Sequence, residues 1–67
     1  MKFIILDNYA MRNTEHGNIA GLEFIADKHI GGELYFGVVS IPYVDVAYDS
    51  KLTQVRMGIL IQNLRKA

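Results

Sequence analysis

Apolar positions along this chain fall mostly in short runs, several of them alternating with polar residues. That spacing belongs to strands, whose successive side chains face opposite ways. Met1–Leu6 reads as a short buried strand, because Phe3, Ile4, Ile5 and Leu6 leave no polar face. Arg12-Asn13-Thr14-Glu15-His16-Gly17-Asn18 is polar throughout and holds turn formers, so it reads as a loop. Gly31-Gly32 predicts a two-residue hairpin turn, since glycine takes positive φ at both central positions without penalty. The hairpin then joins Leu22–Ile30 to Glu33–Ile41 in a register that pairs Lys28 with Tyr35, His29 with Leu34, Ala26 with Gly37, Phe24 with Val39 and Leu22 with Ile41. One face of it carries Leu22, Phe24, Ala26, Val39 and Ile41; the other carries Ile25, Leu34, Phe36 and Val38. Pro42 ends the second strand, having no N–H for a ladder. Beyond it Val44, Val46 and Tyr48 alternate with Tyr43, Asp45 and Ala47, the pattern of a further strand.

Two segments admit a helix. Ile19–His29 has Asn18 as an N-cap and Gly31 as a stop, yet its apolar positions would spread around most of a helical wheel. Thr53–Leu64 shows Val55, Met57, Ile59 and Ile61 at period two, with only Leu60 breaking the alternation. As a helix it would carry Gly58 in its interior, at about 1 kcal/mol relative to alanine. The pattern therefore predicts a mainly β fold, a small curled antiparallel sheet of about five strands in a single domain over residues 1–67. The alternative is an α+β sheet with a C-terminal helix at about residues 50–65.

Size sharpens this. The chain has 67 residues, and a 60-residue domain buries only about 60% of its unfolded surface. Cysteine is absent, so neither disulfides nor thiolate zinc can hold it. Apolar residues make up 51% of the chain, and burial within or between chains must supply the stability. No apolar run approaches the roughly 18 residues of a membrane span. The opening Met1–Leu6 is too short, and too soon followed by Asp7, for a secretory leader. A cytoplasmic protein is expected.

Seven bases and seven acids cancel overall, but they are segregated. Residues 1–49 hold three bases against seven acids, whereas residues 50–67 hold Lys51, Arg56, Arg65 and Lys66 and no acid. Such asymmetry marks either a basic final element lying on an acidic neighbour or an anion-binding end. The four cations are the candidate anion-binding residues of a reading in which the protein is an oligomeric RNA or nucleotide binder.

No phosphate loop or nucleophile elbow is present, and Ser40, Ser50, His16 and His29 are scattered along the chain. The expectation is a protein that is not an enzyme, with no cofactor and no metal. His16 beside Glu15 reads as a solvated loop histidine. Glu23, Asp27 and His29 alternate along one strand, which is the ordinary solvent face of a half-buried strand as well as a ligand spacing. Tyrosines are more telling, because they are enriched at interfaces. Tyr43, Asp45 and Tyr48 follow Pro42, and with Arg56 they form the candidate partner-binding edge. The resulting expectation is a small interaction module, an accessory regulator or inhibitor, of the kind phages and mobile elements carry, that binds a macromolecular partner through a sheet edge. Gln54-Val55-Arg56-Met57-Gly58-Ile59 is similar to a strand of the carbon storage regulator family, small RNA-binding proteins that form interwoven β dimers. That resemblance covers six residues, and the family's N-terminal arginine pair has no counterpart beside Leu6-Asp7-Asn8. Apolar residues on both faces of the hairpin further predict a homo-oligomer, most simply a dimer, since large apolar patches are rare on monomers.

Overall fold

A computed structural model of the chain describes residues 1–42 and 52–67, and in them five antiparallel strands form one sheet. The strands are β1 (Lys2–Ile5), β2 (Glu23–Ile30), β3 (Leu34–Pro42), β4 (Leu52–Leu60) and β5 (Leu64–Lys66). A single helical turn, α1 (Tyr9–Arg12), follows β1, and a 3-10 turn (Ile61–Asn63) separates β4 from β5. The spatial order is β4-β3-β2-β1-β5. Mainly β is thus the architecture, and the α+β alternative is set aside: residues 52–60 are strand, as is most of the Ile19–His29 segment.

Curling follows from the connection between β4 and β5. These strands stand at the two edges, four places apart, which in a flat sheet with about 4.8 Å spacing would be about 19 Å. The four steps from Leu60 to Leu64 span at most about 14 Å when fully extended. Here they include a 3-10 turn, which rises only about 2 Å per residue. The sheet must curl for the chain to cross. Asn63 completes the crossing, its carbonyl accepting from the Leu6 amide at 2.8 Å, and Leu64 then pairs with Ile5.

The strand expected over Val44–Tyr48 lies outside the described residues. The fifth strand seen is β5; the single strand expected over Thr53–Leu64 instead ends at Leu60, and Leu64 opens β5 after the 3-10 turn. The Ile61 amide makes the last rung of the β3–β4 ladder, donating to the Glu33 carbonyl at 2.8 Å, and the chain then turns away through the 3-10 turn.

The β2–β3 register needs a second correction. Phe24 pairs with Val39 and Ala26 with Gly37, as the pattern predicts, but Lys28 then pairs with Phe36, His29 with Tyr35 and Ile30 with Leu34. Asp27 is the extra residue of a β-bulge between Ala26 and Lys28. One inserted residue moves every later partner by one, so the turn contains Gly31, Gly32 and Glu33 rather than two glycines alone. Both glycines still take positive φ, at 65° and 84°. Gly37 sits opposite the bulge, where a β-carbon would press into the Ile25 carbonyl oxygen and stand 2.7 Å from the Ala26 α-carbon. Leu22 ends just before β2 and does not pair with Ile41; its carbonyl accepts from the Ile5 amide at 3.0 Å.

The core lies on one face. Phe3, Ile5, Phe24, Ala26, Val39, Ile59 and Leu64 are buried there, joined by Ile19 from the segment between β1 and β2. That segment folds over the sheet, with Met11 and Leu22 also packed on the core. It is held by local polar bonds: the Asn8 side chain accepts from the Met11 amide at 2.9 Å as an N-cap, and the Ile19 amide donates to the Met11 carbonyl at 2.9 Å. Hydrophobic patterning could not reveal this cover, because α1 is one turn long and has no buried residue of its own. The opposite face of the sheet carries no such layer among the described residues. Ile25 (45% exposed), Ile30 (48%) and Leu60 (43%) remain open there.

Candidate functional site

A groove of about 450 Å³ lies between β4 and the turn at Thr14–Gly17, within the size range of binding pockets. Its outer wall is built from local bonds. Thr14 and Gly17 exchange backbone hydrogen bonds at 3.2 and 2.9 Å. The Thr14 hydroxyl donates to the Gly17 carbonyl at 2.7 Å and accepts from the His16 amide at 3.1 Å. Gly17, at φ 89°, makes the reversal possible. The turn thereby presents Glu15 and His16, whose side-chain ends lie 3.5 Å apart, toward the groove.

The inner wall is the β4 segment Arg56–Ile59. β4 is an edge strand, paired with β3 on one side and with no strand on its other side among the described residues. An unpaired edge offers backbone N–H and C=O groups to an added strand. Met11, Ile19, Met57 and Ile59 give the groove an apolar floor.

Gly58 is the opening in this wall. It pairs with Phe36 across the sheet, and a β-carbon on it would stand 3.0 Å from the Phe36 ring and 3.3 Å from a Leu34 methyl. The missing side chain gives the ring its room, the arrangement in which an aromatic covers a strand glycine. It also leaves Phe36 accessible from the groove. Arg56 closes the other side of the ring. Its guanidinium carbon lies 5.8 Å from the ring centroid, within cation–π range. Its two terminal nitrogens donate to the Asp27 carboxylate at 3.1 and 3.4 Å. Arg56 therefore reaches from β4 across β3 to the bulge in β2.

The bulge also decides where the histidine of that strand goes. With Asp27 inserted, His29 pairs with Tyr35 and stacks on its ring, centroids 4.4 Å apart at 15°. It no longer shares the face of Asp27, so Glu23, Asp27 and His29 are not one cluster. Among the described residues no group of three or more potential ligands is close enough to hold a metal ion.

Of the residues expected at the partner-binding edge, Tyr43, Asp45 and Tyr48 lie outside the described residues, while Arg56 borders the groove. Of the candidate anion-binding set, Lys51 also lies outside the described residues. Arg65 and Lys66 are exposed on β5, the edge opposite β4, where they pair with Ile4 and Phe3. Sequence reasoning missed Phe36, Gly58 and the Thr14–His16 wall. Gly58 carried a signal, since a glycine inside a strand pattern marks a bulge or a close approach; nothing local ties residues 14–16 to β4.

Near this region, Asp7 and Arg12 pair on the exposed side of the covering segment, with Arg12 Nη2 donating to Asp7 at 3.0 Å. The hydrogen bond from Arg12 lowers the Asp7 pKa below the ordinary carboxylate value.

No family model matches the chain, and no curated protein and no solved structure matches it. The six-residue likeness to the carbon storage regulator strand falls within β4, whose described partner is β3 of the same chain.

Proposed function

We propose that the protein is a non-catalytic interaction module, an accessory regulator or inhibitor, that receives a segment of a protein partner along the free edge of β4. The observation that carries this reading is the groove itself: a strand edge unpaired among the described residues, an apolar floor and a facing wall. An extended chain laid there would take main-chain hydrogen bonds from β4 and seat an apolar side chain against Phe36 beside Gly58. Arg56 belongs to this site as a rim residue, with its guanidinium over the Phe36 ring and paired with Asp27.

The test is affinity capture with the wild-type chain as bait and mass spectrometry as readout, repeated with Gly58→Leu and Arg56→Ala. The reading expects one dominant protein whose capture Gly58→Leu abolishes and Arg56→Ala weakens, with both variants keeping the wild-type circular dichroism. Equal capture by all three baits removes the groove as the site. The alternative reading, RNA or nucleotide binding through Lys51, Arg56, Arg65 and Lys66, is separated by a gel shift with single-stranded RNA. Phosphate contacts would make log affinity fall by about 0.7 per contact with log salt. No shift at low salt removes that alternative.

A further inference from the structure

The free edge of β4 has a fixed alternation. In an antiparallel ladder, residues that bond to the neighbouring strand alternate with residues whose N–H and C=O point away from it. The Ile61 amide bonds to Glu33, so Ile59 and Met57, opposite Tyr35 and Gly37, also bond inward to β3. Gly58 and Arg56 therefore turn their N–H and C=O groups outward, on the stretch of β4 that walls the groove. An added antiparallel strand, the pairing that is more stable per residue, exchanges its hydrogen bonds with these two residues.

The faces follow from the same count. Residues paired across strands share a face, so the one opposite Gly58 points to the side of Phe36. Gly58 has no side chain, and that residue meets the Phe36 ring across the gap. Its two neighbours point the other way, beside Met57 and Ile59 and over the floor made by Met11 and Ile19. Both sides of the entering chain are apolar here, which calls for three consecutive apolar residues rather than an alternation. An aromatic residue suits the middle position, because aromatic pairs gain beyond their buried area.

Charge selects what flanks this run. Arg56 is matched by Asp27 at 3.1 Å. Glu15 stands on the segment folded over the covered face, with its side chain 86% exposed. Among the described residues its ion-pair partner is His16, which counts as neutral in the formal charge of the chain. So counted, the groove carries one uncompensated negative charge, which a basic residue on the covered side of the entering segment complements. We infer, resting on the groove reading above, that β4 receives an antiparallel segment with an apolar–aromatic–apolar run centred opposite Gly58 and flanked by lysine or arginine.

The probe is a blocked peptide, Lys-Thr-Val-Phe-Val-Thr-Lys, titrated to a few millimolar into the isotope-labelled intact chain and followed by amide NMR. The Gly58 and Arg56 amides are expected to move downfield on gaining a hydrogen bond, more than those of Met57 and Ile59, which are already bonded. Methylating the phenylalanine nitrogen, which faces β4 in this register, should weaken binding about tenfold or more. Methylating the nitrogen of the valine that follows, which faces away, should leave affinity within about twofold. Glutamate in place of both lysines should weaken binding about threefold. Glu15→Gln should abolish that preference and Glu15→Lys reverse it, with the remaining amide signals showing an unchanged fold. No response at Gly58 and Arg56, equal sensitivity to the two methylations, or a lysine preference that survives both Glu15 variants overturns the inference. Partner capture that Gly58→Leu abolishes, together with no peptide response, overturns this register and keeps the groove. A peptide bound in the expected register, with capture indifferent to Gly58→Leu, keeps the register and removes the groove as the site of the captured partner.

Discussion

The two faces of the sheet are similarly rich in apolar residues yet differ in what lies on them. Phe24 and Ile25 are sequence neighbours on β2; Phe24 is fully buried and Ile25 is 45% exposed. What separates them is the segment between β1 and β2, which brings Met11, Ile19 and Leu22 onto the Phe24 side alone. On the other side the charges act in its place. Arg56 lies across Phe36 to Asp27, and Lys2 reaches Glu23 at 3.6 Å. Long side chains of this kind cover apolar surface with their stems while their charges stay in water. The comparison teaches that, among the described residues, one connecting segment covers one face only, and long charged side chains are what lies over the other.

Truncating one residue on each face is the strongest way to break this comparison. Phe24→Ala removes a fully buried ring and should cost about 3–5 kcal/mol, enough to unfold much of a marginal domain. Ile25→Ala, one residue away, should stay within about 1 kcal/mol in the monomer, because little surface there is withdrawn from water. Urea denaturation at low protein concentration measures both; equal losses would mean that the open face is also packed in the folded chain.

The glycines sharpen the contrast. Gly37→Ala on the covered face drives a β-carbon into the Ile25 carbonyl and the Ala26 backbone, neither of which can give way without undoing the bulge. It should destabilise by about 1–3 kcal/mol or more. Gly58→Ala on the open face meets only the Phe36 ring and a Leu34 methyl, both side chains that can shift. The roughly 0.5–1 kcal/mol lost by glycine in a strand is then recovered in part, and the net change should be near zero. Thermal melts of the two variants decide it, and a larger loss at Gly58 than at Gly37 would reverse the assignment of the rigid side.

The smallest effect concerns the pair that decorates the covering segment. The Asp7 pKa is lowered in the folded chain by its hydrogen bond from Arg12. A depressed carboxylate stabilises the fold above its unfolded pKa, and that contribution disappears as pH falls through the folded value. Asp7 is exposed, so solvent keeps the effect slight. Asp7→Asn should therefore leave stability almost unchanged at neutral pH and flatten part of the acid limb below about pH 4. An acid limb identical to wild type would show that the pair contributes nothing to holding the cover in place.

Much of this architecture is legible in local chemistry. Gly31-Gly32 marks its turn because two consecutive positive-φ residues are needed there. The alternation of Val55, Met57 and Ile59 marks β4 because a strand shows every second residue to the core. Phe24 opposite Val39 agrees with counting back from a two-residue turn only because two offsets cancel: the turn is one residue longer and the Asp27 bulge restores the count. These signals are short-range, carried by a few adjacent residues each.

What tertiary structure alone decides begins where those counts stop. The bulge at Asp27 leaves no mark in the hydrophobic pattern, yet it shifts Lys28, His29 and Ile30 by one partner each and sends His29 to the Tyr35 side. The break at Ile61 has no proline or glycine; β3 runs out into the Gly31–Glu33 turn after the Ile61–Glu33 rung, and β1 has an open edge for Leu64 to Lys66 to fill. The groove is the extreme case, since residues 14–16 and 56–59 meet only after the sheet has curled and the segment after β1 has folded over it. Each of these depends on contacts between residues far apart in the chain, and such contacts are settled by closing the core, not by the preference of any local segment.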